Sequence, residues 1–237
     1  MLVKTRGIVL NFIKYRETSI ITRVYTEELG LQTYIVNSVR QKSTTPRIAL
    51  FQPFTLLDMV VYTSAKGGIT RISEYKCSYP YGSIPYDIRK SSMLLFLSEV
   101  VSYTIKEEEE NRTLFDYMYQ AMVYFDQKTE GFENFHLIFL LQLSFFLGFG
   151  PTSGADITSQ VAFAGNQQYI NGRPGILDFQ LFEGLFDDLL HHPEEAQITN
   201  GKIRRELLNL LIKYYQLHVD KLGEIRSLNV LSEVLAE

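Results

Sequence analysis

The stretch from Asn37 to Tyr62, NSVRQKSTTPRIALFQPFTLLDMVVY, joins a basic connector to a β-prone run. Its first half holds Arg40, Lys42 and Arg47 among serine, threonine and proline, which are residue types of turns and loops. From Phe54 onwards valine, leucine, methionine and aromatic residues dominate, and this composition predicts a buried strand. A cationic loop carried by a rigid strand can present positive charge to a polyanion. The stretch therefore predicts the working edge of a small nucleic-acid-binding barrel.

Working outward from this strand, short β-type runs separated by turn signals occupy the rest of the N-terminal third. The predicted strands are 4–13, 19–25, 32–36, 54–63 and 69–76. Five strands with a longer connection between the third and the fourth match the layout of an OB-fold barrel. An SH3-like barrel is the alternative, because a count of strands does not separate the two folds.

Helical periodicity replaces the alternating pattern after the turn-rich segment YPYGSIP at 79–85. The predicted helices are 86–106, 112–127 with Asn111 as its cap, 133–147, 178–191, 203–219 and 228–235. Residues 149–177 are rich in glycine, proline and asparagine, so we expect a long irregular loop there. The sequence thus predicts an α+β chain, with an OB-fold domain at 1–80 and an all-α helical domain at 81–237.

The formal net charge of −4 hides an asymmetry between the two parts of the chain. Residues 1–76 hold 11 Lys and Arg against 5 Asp and Glu, a balance of +6, whereas the remainder holds 12 against 22, a balance of −10. A basic barrel joined to an acidic helical region indicates that the barrel is the part that meets a polyanion.

The cationic side chains of the predicted barrel are the candidates for phosphate contact. They are Lys4, Arg6, Lys14, Arg16, Arg23, Arg40, Lys42, Arg47 and Arg71. Neighbouring tyrosines offer faces on which bases could stack, although one error in strand register would move each of them into the core. These tyrosines are Tyr15, Tyr25, Tyr34 and Tyr62.

Motifs of enzymes and metal sites are missing from the sequence. It contains no P-loop, nucleophile elbow or paired zinc motif, so we expect a protein that is not an enzyme and needs no cofactor. The single cysteine, Cys77, cannot form an intrachain disulfide. Asp187 and Asp188 stand four residues before His191 and His192, but no third ligand is evident, so we expect no metal there.

Targeting to a membrane is not indicated. The N-terminus lacks the pattern of a signal peptide, and the most apolar run, 137–150, is shorter than the ~20 residues that a bilayer span needs. We therefore expect a cytoplasmic protein.

Five segments follow one another along the chain: KTRGIVL at 4–10, VYTEELG at 24–30, the connector with Arg40 and Lys42, LFQPF at 50–54 and SLNVL at 227–231. In this order they resemble the RecO family of recombination mediators. The resemblance implies an OB-fold N-terminal domain and a helical C-terminal domain. Many members of the family carry a four-cysteine zinc element after the central helices; here 150–175 contains no cysteine, so zinc is not expected.

The resemblance also implies a function in DNA repair in association with the nucleoid. It implies binding of single- and double-stranded DNA, annealing of complementary strands, and help in loading recombinase onto DNA coated by single-strand-binding protein. The implied partners are RecR and the acidic C-terminal tail of single-strand-binding protein (SSB). The cationic candidates for capturing this tail are Arg89, Lys90, Arg112, Lys202, Arg204 and Arg205. A protein-interaction adaptor and an RNA-binding OB module remain the alternatives.

Overall fold

The computed structural model describes residues 1–41, 47–64, 68–106, 109–164, 179–196 and 198–235. The chain divides into two compact units, Met1–Thr129 and Glu130–Glu237. The first unit contains the barrel together with two of the predicted helices. The boundary given by residue contacts, after Thr129, therefore lies further along the chain than the boundary after residue 80 that the sequence pattern predicts. The assignment of domains to 1–80 and 81–237 stays a prediction.

The barrel of the first unit is closed and five-stranded, with the strand order β1-β2-β3-β5-β4. Its strands are β1 Leu2–Tyr15, β2 Ser19–Thr26, β3 Gly30–Val36, β4 Leu56–Tyr62 and β5 Thr70–Cys77. Neighbouring strands pair antiparallel except β3 and β5, which run parallel. This architecture confirms the predicted OB fold, and every strand begins and ends within two residues of its predicted position.

Alternation along each strand decides which side chains fill the barrel. Val9, Ile20, Tyr34 and Leu57 belong to one buried core cluster. In β1 a register shift between Val9 and Asn11 marks a bulge, after which the inward and outward positions exchange. A 3-10 turn at Arg47–Phe51 adds a buried phenylalanine to the core.

Two helices complete the first unit, α1 at Ile88–Thr104 and α2 at Arg112–Gln127. The carboxylate of Asp87 caps α1 by accepting from the amide of Arg89 at 2.8 Å. Asn111 caps α2, as its position predicts, by accepting from the amide of Leu114 at 3.0 Å. Both helices therefore start where short polar side chains satisfy their free amides.

The second unit is all-α. Its helices are α3 Phe135–Phe146, α4 Gly154–Ala164, α5 Phe179–His191, α6 Gly201–His218 and α7 Ser227–Val234. α3 is buried along most of its length, as its continuous apolar sequence predicts. The hydroxyl of Tyr215 in α6 donates to the carbonyl of Leu140 at 2.6 Å, which ties α6 to this central helix.

The prediction of an irregular loop at 149–177 is wrong for its first part, because α4 lies inside it. Ile157 and Val161 of this helix are buried, and the amide of Gly154 donates to the carboxylate of Asp187 at 2.7 Å. These tertiary contacts stabilise a segment whose small and β-branched residues give little helical pattern. Residues 165–178 lie outside the described residues.

A bilayer crossing is not found among the helices of the described segments, none of which is long and apolar enough to span a membrane.

Candidate nucleic-acid interface

Two of the predicted phosphate-binding residues lie in a groove whose charges are balanced. Cross-strand pairing sets Lys4, Val60 and Glu74 in one row and Arg6, Asp58 and Lys76 in the next. Together with Glu27 and other residues they line a cavity of about 530 Å³. We call this the compensated groove, defined by Lys4, Arg6, Lys76, Glu27, Asp58 and Glu74. Three cations facing three carboxylates leave little field to attract a polyanion.

Arg6 is occupied by carboxylates and aromatic rings. Its guanidinium donates to Glu27 at 2.8 and 2.9 Å and to Asp116 of α2 at 2.9 Å. It also lies 5.1 Å from the ring centre of Phe115 and 4.9 Å from that of Tyr119. The hydrogen bond to Glu27 raises the pKa of Arg6 further above its ordinary value. These contacts join the barrel to α2 and leave the side chain little capacity for phosphate.

A different outer surface, on β2 and β3, carries one cation, Arg23, that no acidic residue of these strands opposes, since neither strand contains Asp or Glu. Ile20, Thr22 and Val24 are buried, so alternation turns Ile21 and Arg23 outward. The Arg23 guanidinium donates to the carbonyl of Ser102 in α1 at 3.2 Å, which holds it at the edge of this surface.

Isoleucines dominate this outer surface. The register places Ile13 beside Ile21, Ile21 beside Ile35, and Ile35 beside Arg71 across four strands. Ile13 is 62% exposed and Ile69, the residue before β5, is 57% exposed. The isoleucine face is defined here by Ile13, Ile21, Ile35 and Ile69. Arg71 is exposed at its margin.

Further cations meet at the end of the barrel formed by the β1–β2 turn. The amide of Arg40 donates to the carbonyl of Thr18 at 3.0 Å, and its guanidinium donates to the carbonyl of Arg16 at 3.2 Å. Arg16 has a φ of 50°, and its guanidinium lies 5.2 Å from the ring centre of Tyr15. The cationic end is defined by Lys14, Arg16 and Arg40. Glu17 is the one acidic residue in this turn.

A polar clamp fixes the cationic end to the barrel. The hydroxyl of Ser19, the first residue of β2, donates to the side-chain oxygen of Asn37 at 3.1 Å. Because Asn37 directly follows β3, this bond and those of Arg40 hold the chain after β3 against the turn before β2. Arg16 and Arg40 are thus positioned by backbone contacts.

Two other predicted residues are less well placed. Lys42 lies outside the described residues. Arg47 is exposed at the start of the 3-10 turn, close enough to Tyr75 to act on its hydroxyl electrostatically.

Two of the predicted base-stacking tyrosines are buried. Tyr34 has no exposed surface, and burial raises the pKa of its hydroxyl above the usual range. Tyr25 is 1% exposed and stacks on Phe115 of α2 with 6.3 Å between ring centres. Neither ring has a face open to a base. Tyr62 is 47% exposed at the end of β4, and Tyr15 lies beneath Arg16.

Three predicted tail-binding residues lie in the first unit and are engaged there. Lys90 is 2% exposed, and its ammonium donates to Ser83 Oγ at 2.6 Å and to backbone carbonyls that include Phe125 and Lys128. Arg112 pairs with Glu28 at 2.7 Å, and Arg89 with Asp87 at 3.0 Å. Lys90 therefore caps the end of α2 from below the surface, a role that its residue type did not predict.

The other candidates lie together in the second unit. Arg204 and Arg205 line a small pocket with His136, Leu208, Leu231 and Leu235 among its other residues. Arg204 is 7% exposed, and its guanidinium donates to Asn134 at 2.9 Å and to Ile198 at 2.6 Å. Arg205 is half-buried, and Lys202 is exposed on the same helix. Burial lowers the pKa of Arg204.

Metal-binding geometry is not found in the described ranges, where no three His, Cys, Asp or Glu side chains come together. Asp187 accepts from the amide of Gly154, and the ring of His191 contacts the carbonyl of Asp187 at 2.9 Å. Burial raises the pKa of the Cys77 thiol.

The isoleucine face and the carboxylate partners of Arg6 were not predicted from the sequence. The outward orientation of Ile13, Ile21 and Ile35 can be predicted from strand alternation once the bulge in β1 is known. The pairing of Arg6 with Asp116 could not be predicted in this way, because the two residues are 110 positions apart in the chain.

Comparison with known proteins agrees with this architecture. The family model for the N-terminal part of recombination protein O matches residues 1–81, and the model for its C-terminal part matches residues 85–168. A DNA repair protein RecO of Bacteroides fragilis is 35% identical over 240 residues, covering 99% of both chains. A protein of the same name from Flavobacterium psychrophilum is 34% identical over 241 residues, covering both chains completely. With its OB-fold barrel and helical second unit, the chain belongs to the recombination protein O family.

Proposed function

We propose that this chain is a non-enzymatic, DNA-binding mediator of recombinational DNA repair. It binds single- and double-stranded DNA, anneals complementary strands and assists the loading of recombinase onto DNA coated by SSB. Its relatives are named DNA repair proteins, and this supports the general role. The observation that carries the DNA-binding step is the cationic end, where Arg16 and Arg40 are held together beside the isoleucine face.

The position of these cations supports contact with a phosphate backbone. OB folds bind oligonucleotides on the face of strands 2 and 3 and on the loops that border it. Here that face carries Arg23 and borders Arg71, while the β1–β2 turn supplies Arg16. Each phosphate that a cation neutralises releases condensed counterions, so binding gains entropy and weakens with salt.

Four of the nine candidate phosphate-binding residues therefore lead the proposal: Arg16, Arg23, Arg40 and Arg71. Lys42 extends the set by sequence, because it stands two residues after Arg40. Lys4 and Arg6 lie in the compensated groove, where carboxylates oppose them. We expect those two to contribute little.

The test compares two double neutralisations that remove the same charge. Arg16→Gln/Arg40→Gln removes two cations from the cationic end, and Lys4→Gln/Lys76→Gln removes two from the compensated groove. Binding of a labelled single strand is followed by fluorescence anisotropy over a range of salt. The log–log salt slope should become shallower by about 0.7 per lost phosphate contact in the first variant. It should stay near that of the unchanged protein in the second.

Two results would count against this proposal. Equal slopes and affinities for both variants would remove the cationic end from the interface. Absence of salt-dependent binding to single-stranded DNA, duplex DNA and RNA would favour the adaptor function. Strand annealing, measured with complementary labelled oligonucleotides, tests the next step of the mechanism.

We also propose capture of the C-terminal tail of SSB by the pocket of Arg204 and Arg205. Leucine side chains beside the half-buried Arg205 guanidinium suit a peptide that is both apolar and acidic, while Asn134 and Ile198 engage the Arg204 guanidinium. Arg205→Gln should weaken binding of a tail peptide, with Lys202→Gln on the exposed face of the same helix as the control. Equal affinities would place the site elsewhere. RecR is the second proposed partner, without an assigned surface.

A protein-interaction adaptor is the second candidate function. The exposed isoleucines favour it, since an apolar sheet face is also a common protein-binding surface. Loss of partner binding without any change in DNA affinity, on substitution of Ile35 by lysine, would support the adaptor.

A further inference from the structure

We propose that the isoleucine face determines how the barrel contacts the bases of a bound DNA strand. It leaves the bases unstacked while arginines hold the phosphates, so a strand on the barrel stays free to pair. This inference rests on the proposed DNA-binding function and concerns the mode of recognition at the same surface.

The first step is the geometry of the face. Ile13, Ile21 and Ile35 lie side by side on three paired strands, and Arg71 continues the row on the fourth. Their inward neighbours Ile20, Tyr34 and Val36 are buried in the core. Outward orientation is therefore imposed by the pleat, and the four side chains form one continuous strip across the face.

The second step is the chemistry of these side chains. Sequence-tolerant binding of single strands by OB folds relies on aromatic rings, on which successive bases stack. An isoleucine has no π face and is branched at Cβ, so it offers a knobbed aliphatic surface to a flat base. A strand over this face gains phosphate contacts without the stacking that would hold its bases.

The third step concerns the aromatic residues of the barrel. Tyr34 is in the core, Tyr25 packs on Phe115, and Phe51 packs on Tyr75 with 5.0 Å between ring centres. Residues 42–46 and 65–67, which lie outside the described structure, contain no Phe, Tyr or Trp in their sequence. Tyr25 shares the outward orientation of Ile21 but is covered by Phe115, and Tyr15 shares that of Ile13 but lies against the Arg16 guanidinium. These rings are therefore engaged by other side chains and do not add a stacking platform to the isoleucine face.

The fourth step is the consequence for pairing. A base stacked on a protein ring must leave it before it enters a duplex, and one such platform strengthens single-strand binding roughly 5- to 150-fold. Arg23 and Arg71 beside an aliphatic strip bind the backbone of a single strand and of a duplex alike. Complementary strands can then pair on the protein, without a competing affinity for the unpaired state.

The experiment uses the full-length protein and two oligonucleotides of equal length, one with bases and one with abasic sites throughout its central part. The unchanged protein should bind the two within about twofold, because phosphate contacts dominate. The variant Ile21→Tyr/Ile35→Tyr should bind the base-bearing strand at least fivefold more tightly than the abasic one, and should anneal complementary strands more slowly. Val60→Tyr, which adds a ring in the compensated groove, should change neither measurement.

The outcomes separate this inference from the function on which it rests. Tenfold or greater preference of the unchanged protein for the base-bearing strand would overturn the inference and leave DNA binding intact. Failure to bind either oligonucleotide would overturn the proposed function itself. The comparison on the unchanged protein decides the matter even where the double tyrosine variant does not fold.

Discussion

Asp116 of α2 accepts a hydrogen bond from the Arg6 guanidinium across 2.9 Å and so links the second helix to the first strand of the barrel. The same guanidinium forms a two-point pair with Glu27. An arginine held by two carboxylates and two rings is a structural element of the first unit. Its charge is therefore not available for phosphate contact, which the sequence alone predicts for this residue.

Substitution of Arg6 should lower stability more than DNA affinity. Arg6→Ala removes the pair with Glu27, the bond to Asp116 and the contacts to two aromatic rings, which together stabilise the fold by about 1–3 kcal/mol. Urea denaturation measures this loss. Lys4→Ala, on the neighbouring row of the same face, should cost less than about 0.5 kcal/mol. Wild-type stability together with weakened DNA binding would instead assign Arg6 to the interface.

Replacement of Gly30 should be far more damaging than replacement of Gly68. Both have positive φ, 61° and 89°, but a Cβ on Gly30 would lie 2.2 Å from the carbonyl oxygen of Glu109, whereas no atom of the described residues lies within 4 Å of one on Gly68. Gly68→Ala should cost about 1 kcal/mol from backbone strain alone, and Gly30→Ala about 3 kcal/mol or more. Thermal unfolding compares them. Equal costs would mean that Glu109 does not pack on the β2–β3 turn.

Lys90 should be needed for stability although its charge is buried. Lys90→Met keeps the volume of the side chain but leaves the carbonyls of Phe125 and Lys128 without their donor, which should cost about 2–4 kcal/mol. Arg89→Met, at the neighbouring exposed position, is the matched control and should stay within about 0.5–1 kcal/mol. The free energy of unfolding in urea is the measurement, and similar losses for both variants would contradict the buried role.

His136 should make the protein less stable in mild acid. Burial lowers its pKa from 6.5 to about 3. Between these two pH values the unfolded chain binds a proton at this histidine and the folded chain does not. The free energy of unfolding is therefore highest above pH 6.5 and decreases as the pH falls below it, by about 2 kcal/mol between pH 7 and pH 5. His136→Leu should reduce this dependence and His192→Gln, at an exposed histidine, should keep it. A wild-type profile that is flat over this interval would refute the assignment.

Local patterns predicted the fold well where the residues that decide it are close in sequence. Alternation located the five strands, and Asn111 was recognised as a cap because the helix that it starts follows at once. The helix α4 was missed because its stability comes from contacts such as that of Gly154 with Asp187, which lie 33 residues apart.

The candidate site was predicted only as a set of charges. Lys4 and Arg16 are equivalent in the sequence and both are exposed, and only the strand register shows that carboxylates line the groove around Lys4. Tyr34 differs from Ile35 through its inward orientation, whereas Tyr25 shares the outward orientation of Ile21 and is covered by Phe115 of α2. The distribution of partners over the surface is set by tertiary pairing, which composition does not encode.

The clamp between the β1–β2 turn and the chain after β3 has a consequence for the order of assembly. Its bonds join Arg16 to Arg40 and Ser19 to Asn37, over separations of 24 and 18 residues, whereas Leu2 pairs with Tyr62 to close the barrel. Shorter loops close at a smaller loss of chain entropy. We therefore expect the meander of the first 41 residues to form its clamp before barrel closure, which pulsed hydrogen exchange during refolding can test. During synthesis on the ribosome, the phosphate-binding end would then take shape while the strand that completes the barrel is still being made.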